Sequence, residues 1–244
     1  MKYFLDTTGT IPDNVGFAHY DALHITWLVA AALFIVALSL VYKNQNEAQR
    51  SKTRKALAAA LILDELWKMF WLTVGHRYEL EYLPFHLCSI NIFIIAYHCF
   101  RPNKTLDNFL YIVCIPGALA ALLFPSWAVL PLANFMHLHS FTVHSLLVAY
   151  PVVLLVNGDI KPTFKALPKC LGLLSVFGIF ALVFNIAFDE NFMFLMYAEE
   201  GNPLYLFKQL WGNHFYGFPV IMAGILVVMF LPLTLYRRRK GLSL

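Results

Sequence analysis

The chain has 244 residues, of which 60% are hydrophobic and only 13% are charged. A soluble domain carries roughly 25% charged residues, so the composition does not fit an ordinary cytosolic enzyme, a disordered protein or a small disulfide-rich scaffold. The net charge is +4, but the Lys and Arg residues cluster in short segments between apolar runs, as in membrane proteins. We therefore expect one integral membrane domain, residues 1–244, with no nucleic-acid partner.

Seven apolar runs are long enough to cross a bilayer, which takes about 20 residues per helix. The predicted spans are approximately 23–42, 56–75, 83–100, 107–130, 136–157, 166–188 and 217–236. The predicted fold class is therefore all-α, a polytopic bundle of about seven transmembrane helices. The longest connection, residues 189–215, is rich in aromatic side chains, which is typical of a cap in the headgroup region.

The charges in the connections predict how the bundle is oriented. Basic residues fall on every second connection and on the C-terminal tail, as with Lys43, Arg101 and Arg237, whereas the alternate connections carry mainly acidic residues. Cytoplasmic loops are enriched in Lys and Arg. We therefore expect the N-terminus outside and the C-terminus in the cytoplasm.

Polar side chains within the spans mark the candidate site, because each one is costly to bury in a membrane. In the seven-span arrangement they gather in the outer half of the bundle. The main ones are His24, Asp64, Glu65, Lys68, His86, Cys88, Asn91, His98, His137, His139, His144 and Asn185. Asp64 and Glu65 lie at helical spacing from Lys68, which predicts an ion pair. No cysteines are positioned for a disulfide, so we expect four free thiols.

Residue types and spacing leave several interpretations of this set open. Cys88 and a histidine would form a nucleophile and its base, since a thiolate in an apolar setting needs a neighbouring proton acceptor. In the ordinary structural interpretation, the same side chains are hydrogen-bonded parts of a bundle. His137, His139 and His144 would bind a metal with His86 or Cys88, but the spacing is not a standard zinc pattern. Two histidines would bind a haem, and acidic residues with histidines would line a transport path.

Four short segments follow one another along this chain in an order that is characteristic of a known family. They are Leu83-Pro84-Phe85-His86-Leu87-Cys88-Ser89, residues 117–125, Phe141-Thr142-Val143-His144-Ser145-Leu146, and Asn191-Phe192-Met193-Phe194-Leu195. The set resembles the YwaF-type bacterial integral membrane proteins. Their eukaryotic relative is the phospholipid acyltransferase called transmembrane protein 164.

The resemblance implies acyl transfer between phospholipids at the outer leaflet of a bacterial cytoplasmic membrane, with Cys88 as nucleophile and His144 as base. Phospholipid or lysophospholipid would be the substrate, and we expect no cofactor and no metal. The alternative function is a transporter or lipid-binding protein that uses an intramembrane polar pocket without covalent chemistry. Candidate substrate-binding residues are His24, Glu65, His86, Asn91, Asn185 and Asn191, and candidate oxyanion donors are Ser89, Asn91, Asn185 and Asn191.

Overall fold

The computed structural model of the chain describes residues 2–12, 14–198, 204–212 and 229. Within these residues the secondary structure is helical, without a strand. The helices are α1 (Ala22–Lys43), α2 (Glu47–Val74), α3 (Leu87–His98), α4 (Lys104–Phe109), α5 (Ile115–Leu123), α6 (Phe135–Val156), α7 (Leu167–Phe188) and α8 (Tyr205–Trp211). A π-helical segment, Leu110–Cys114, joins α4 to α5, and 3₁₀ turns lie at Leu80–Tyr82, Phe164–Ala166 and Phe192–Phe194.

Five segments of the described chain are long and apolar enough to cross a membrane. They are Ala22–Lys43, Leu80–His98, Lys104–Leu123, Phe135–Val156 and Phe164–Phe188, and they correspond to five of the seven predicted spans. The predicted second span falls on α2, which is long enough to cross but carries Asp64, Glu65 and Lys68. The predicted seventh span, 217–236, lies outside the described residues except for Met229. The chain is therefore an all-α membrane protein.

Helix α6 lies at the centre of the bundle and packs against α1, α2, α3 and α5. It buries residues on all sides, including four polar ones, His137, His139, Ser140 and His144. By contrast, the outer helices α1 and α7 expose large apolar side chains along their length, such as Leu33 and Ile186. These exposed faces are suited to contact with lipid chains, because the surface of a membrane bundle faces hydrocarbon rather than water.

Three helix boundaries differ from the predicted spans by four residues or more. Helix α2 begins at Glu47 rather than near 56, because Asn46 and Gln49 form a reciprocal capping box that starts it in the polar connection. Helix α3 begins at Leu87 rather than 83, because the backbone before Pro84 is extended. The fourth span ends at Leu123 rather than 130, just before Pro125, and residues 124–134 form a loop.

Contacts between connections define the two ends of the bundle. At one end, the N-terminal segment meets the loop 124–134: Asn134 Nδ2 donates hydrogen bonds to the carbonyls of Tyr3 and Asp6, each at 2.7 Å. At the opposite end, Asp159 forms ion pairs with Arg50 at 2.7 Å and Arg54 at 3.2 Å. We call the first the N-terminal end and the second the arginine end.

The two ends should lie on opposite sides of the membrane. Single cysteines replacing exposed Lys52, near the arginine end, and exposed Glu79, at the N-terminal end, should react with a membrane-impermeant maleimide from opposite sides of intact cells. The positive-inside rule expects Glu79→Cys to be labelled from outside. Labelling of both variants from outside, before lysis, would contradict the predicted orientation.

Candidate active site

Cys88 is the second residue of α3, and its side chain is half-buried. The hydrogen bonds of α3 begin at Ile90, whose backbone amide donates to the carbonyl of His86 at 3.0 Å. The amides of Leu87, Cys88 and Ser89 have no hydrogen-bond partner among the described residues. A helix N-terminus with free amides favours negative charge, and thiolates are stabilised there.

His144, on the central helix α6, meets this sulfur directly. Its Nε2 lies 3.1 Å from Cys88 Sγ, and its Nδ1 lies 2.6 Å from the carbonyl oxygen of Ser140, one turn earlier on the same helix. A carbonyl oxygen only accepts hydrogen bonds, so Nδ1 carries the ring proton. The lone pair of Nε2 therefore faces the thiol, which is the arrangement that a general base requires.

Trp127, from the loop 124–134, packs against His144 of the Cys88–His144 pair, which we call the dyad. It stacks on the imidazole of His144 with centroids 5.1 Å apart and planes 12° from parallel. It also makes a T-shaped contact with the ring of Phe141, with centroids 5.3 Å apart. These contacts, together with the bond to Ser140, restrict the imidazole to one orientation.

Three histidines hold the loop that carries Trp127. Each ring donates an N–H to a backbone carbonyl in or just before the loop: His19 to Pro125 at 3.1 Å, His24 to Leu122 at 2.7 Å, and His137 to Leu130 at 3.0 Å. We call these three bonds the histidine clamp. The clamp joins the N-terminal segment, α1 and α6 to one loop, so several distant parts of the sequence determine where Trp127 lies.

The second ring nitrogens of His24 and His137 are occupied as well. Nδ1 of His24 accepts a bond from the Tyr20 amide at 2.8 Å, and Nε2 of His137 accepts one from the indole N–H of Trp27 at 3.0 Å. Each ring is therefore a neutral imidazole that donates on one side and accepts on the other. Within the described residues no group of three His, Cys, Asp or Glu side chains is arranged to hold a metal ion.

A network of four ionisable side chains joins α2 to α6. Lys68 lies 2.5 Å from Glu65, which confirms that part of the predicted ion pair. Asp64 pairs instead with His139, at 2.9 Å from its Nδ1, while Glu65 lies 3.9 Å from Nε2 of the same ring. Apart from the partly exposed Asp64, the members are buried. Because Lys68 contacts Glu65 and the ring of His139 lies close to both carboxylates, the network is suited to holding α2 against α6.

Three of the predicted substrate-binding residues organise the backbone after α7 or at the start of α3. Asn185 exchanges two hydrogen bonds with the backbone of Phe192, at 2.8 and 3.0 Å. Asn191 binds the amide of Met196 and the carbonyl of Tyr197, each at 3.0 Å. His86 precedes α3 and packs against the ring of Phe192, with centroids 4.9 Å apart. Their roles in substrate binding stay predictions.

Asn91, one turn after Cys88, has a different environment. Its Nδ2 donates to the carbonyl of Leu87 at 2.9 Å, whereas its Oδ1 is buried without a partner among the described residues. Of the predicted substrate-binding residues, Asn91 and His86 lie closest in sequence to Cys88. His24 belongs to the histidine clamp and Glu65 to the charge network.

The sequence prediction missed Trp127 and the clamp, because it assigned residues 124–130 to a continuous span. Pro125 is the signal that the prediction overlooked. A residue before proline is pushed away from helical backbone angles, and Phe124 has an extended φ of −131° and ψ of 65°.

The fold and the site define a class of protein: a polytopic helical membrane protein with a Cys–His pair beside its central helix. A family model matches residues 15–234, and the chain belongs to the TMEM164 family. No curated protein and no solved structure matches the chain. The similarity to YwaF-type bacterial proteins stays a prediction.

Gly16 tests the contact between the N-terminal segment and the loop. A Cβ atom added to Gly16 would lie 2.0 Å from the backbone oxygen of Ala128, and the next residue, Phe17, donates its amide to that oxygen at 2.8 Å. Since backbone cannot move aside as a side chain does, Gly16→Ala should destabilise the protein by roughly 1–3 kcal/mol. Thermal unfolding in detergent should give a lower midpoint for Gly16→Ala than for the control Gly9→Ala, because an added Cβ at Gly9 would meet no neighbouring atom.

Cys88 should be the most reactive of the four cysteines, because the other three are buried and lack a histidine acceptor among the described residues. Peptide mass spectrometry after brief iodoacetamide treatment should find Cys88 alkylated first. Replacing His144 with Ala should slow this reaction, since the thiol loses its proton acceptor. Equal rates at Cys88 and Cys170 would contradict an activated thiol.

Proposed function

We propose that this protein is a membrane-embedded phospholipid acyltransferase that uses Cys88 as nucleophile and His144 as general base. The observation that carries the proposal is the 3.1 Å approach of His144 Nε2 to Cys88 Sγ, with Nδ1 bonded to the Ser140 carbonyl. A nucleophile, a base and a third group that orients the base form the arrangement found in acyl-transfer enzymes. Here a backbone carbonyl serves as the orienting group.

The first half-reaction moves an acyl chain to the enzyme. His144 Nε2 takes the proton of the Cys88 thiol, and the thiolate attacks the carbonyl carbon of a phospholipid ester. The carbon–sulfur bond forms while the carbonyl electron pair moves onto oxygen. When the pair returns, the ester carbon–oxygen bond breaks, and the departing lysophospholipid takes the proton from His144. The products are a Cys88 thioester and a lysophospholipid.

The second half-reaction reverses these steps with another acceptor. The hydroxyl group of a lysophospholipid gives its proton to His144 Nε2 and attacks the thioester carbon. The carbon–sulfur bond breaks, and the thiolate recovers its proton from His144. Both half-reactions balance without an oxidant, a metal or a nucleotide, and the same base serves each one.

Two features support a phospholipid substrate. Cys88 is the second residue of α3, on the side of the N-terminal end of the bundle, and it lies within the apolar segment Leu80–His98. The glycerol ester of a phospholipid lies at the boundary between headgroups and hydrocarbon, so it would approach the sulfur from that side. Family membership and the resemblance to transmembrane protein 164, a phospholipid acyltransferase, support acyl transfer over other uses of a Cys–His pair. By the positive-inside rule, the site would open to the outer leaflet of a cytoplasmic membrane.

The transporter alternative would rest on the buried charges of α2. In the structure Glu65 is paired with Lys68, and Asp64 contacts the ring of His139. A transport site needs groups that can exchange partners with a substrate or an ion. These contacts therefore favour a structural role for the network. The activities of Cys88→Ala, Asp64→Asn and Glu65→Gln distinguish acyl transfer from transport.

Purified protein in liposomes should transfer a labelled acyl chain from phospholipid to added lysophospholipid. Cys88→Ala should abolish transfer, because no other group supplies the nucleophile in this mechanism. His144→Ala should lower the rate by about 10²–10⁴-fold, as is typical when a general base is lost. Without acceptor, intact-protein mass spectrometry should detect an acyl adduct on Cys88 that hydroxylamine removes.

Cys170→Ala is the matched control, since it removes a buried thiol from α7 rather than from the dyad. It should retain full transfer activity. Undiminished transfer by Cys88→Ala would refute the dyad. Loss of function in Asp64→Asn or Glu65→Gln with retention in Cys88→Ala would instead identify a non-covalent transporter or lipid-binding protein.

A further inference from the structure

Acyl transfer through Cys88 requires hydrogen-bond donors for the negative oxygen that develops on the ester carbonyl. The three asparagines expected from the sequence each use one of their two carboxamide N–H bonds elsewhere. Each carboxamide nitrogen already donates to a backbone carbonyl: Asn91 to Leu87, Asn185 to Phe192, and Asn191 to Tyr197. The atom of Asn91 that lacks a partner is Oδ1, an acceptor, which would repel an oxyanion.

One source of donors is the start of α3. The amides of Cys88 and Ser89 have no partner among the described residues, and they belong to the nucleophile and its neighbour. A nucleophile's own amide commonly serves as an oxyanion donor. Acyl-transfer sites usually supply a second donor from another part of the chain.

Trp127 has the properties of that second donor. Its side chain is 7% exposed, and its indole N–H is buried without a hydrogen-bond partner among the described residues. The ring stacks directly on the imidazole of His144, whose Nε2 contacts the sulfur. Buried donors in folded proteins are nearly always satisfied, so an unpaired one on a ring that stacks on His144 calls for an explanation.

We propose that the indole N–H of Trp127 binds the carbonyl oxygen of the acyl group during transfer, together with the amides at the start of α3. This inference rests on the proposed acyl transfer by Cys88 and names the donor that the sequence did not reveal. Trp127 then has two roles at once: its face holds the His144 ring, and its N–H stabilises the oxyanion. The histidine clamp maintains both, because it holds the loop that carries Trp127.

The test separates the N–H from the ring. Trp127→Phe keeps an aromatic face for His144 but removes the donor. Removing one oxyanion donor typically lowers kcat by about 10²–10³-fold. We expect a loss of this order in acyl transfer with KM changed little, since the bond strengthens in the transition state. The rate of Cys88 alkylation should stay near that of the wild type, because the Cys–His pair itself remains.

Trp71→Phe is the matched control. Trp71, on α2, also has a buried indole N–H without a partner among the described residues, but its ring contacts Phe4 and Phe70 rather than the dyad. The control should retain wild-type transfer. If Trp127→Phe fails to fold, replacement of Trp127 by β-(3-benzothienyl)alanine keeps the bicyclic ring and exchanges N–H for sulfur.

The outcomes distinguish this inference from the proposed function. Wild-type kcat in Trp127→Phe or in the benzothienyl variant would overturn the role of the indole N–H while leaving Cys88 and His144 in place. An equal loss in Trp71→Phe would also overturn it, because the effect would then be a general response of the bundle. Failure of the proposed function would instead be seen as full transfer by Cys88→Ala.

Discussion

The hydrogen bond from His144 Nδ1 to the Ser140 carbonyl is the contact on which the candidate site depends. At 2.6 Å it determines which nitrogen carries the proton, and so presents a lone pair to Cys88 Sγ, 3.1 Å away. Because donor and acceptor lie one turn apart on the most buried helix of the bundle, the imidazole is oriented by local geometry rather than by a distant carboxylate. A neutral orienting group also avoids burying another charge in a membrane protein.

A second layer of contacts holds the surroundings of the dyad. Trp127 stacks on His144, and the loop that carries it is bound by His19, His24 and His137. Histidine suits this purpose in an apolar bundle, since a neutral ring donates through one nitrogen and accepts through the other. Backbone hydrogen bonding thus explains His24 and His137, as in the ordinary structural interpretation of such residues, while His144 differs in also facing a thiol.

The sequence predicted more of the helices than of the connections. Helix α1 and helix α6 match their predicted spans within one residue at each end, because a continuous apolar run directly reflects the thickness of a bilayer. The start of α3 and the end of α5 were wrong by four and seven residues, respectively. In both places a proline interrupts an apolar run, and hydrophobicity alone does not distinguish a helix from an apolar loop that folds back over the bundle.

Composition and spacing by themselves determined that this is an all-α membrane protein, whereas the choice of Cys88 and His144 among many polar residues came from the resemblance to a known family. Only the tertiary structure decided that the two side chains touch, because they lie 56 residues apart and helical phase does not specify which helices become neighbours. For the same reason the sequence predicted Lys68 as a partner of Asp64, whereas in the structure Asp64 contacts His139, on another helix. The position of Trp127 also depended on the fold, since bonds from three separate parts of the chain hold its loop.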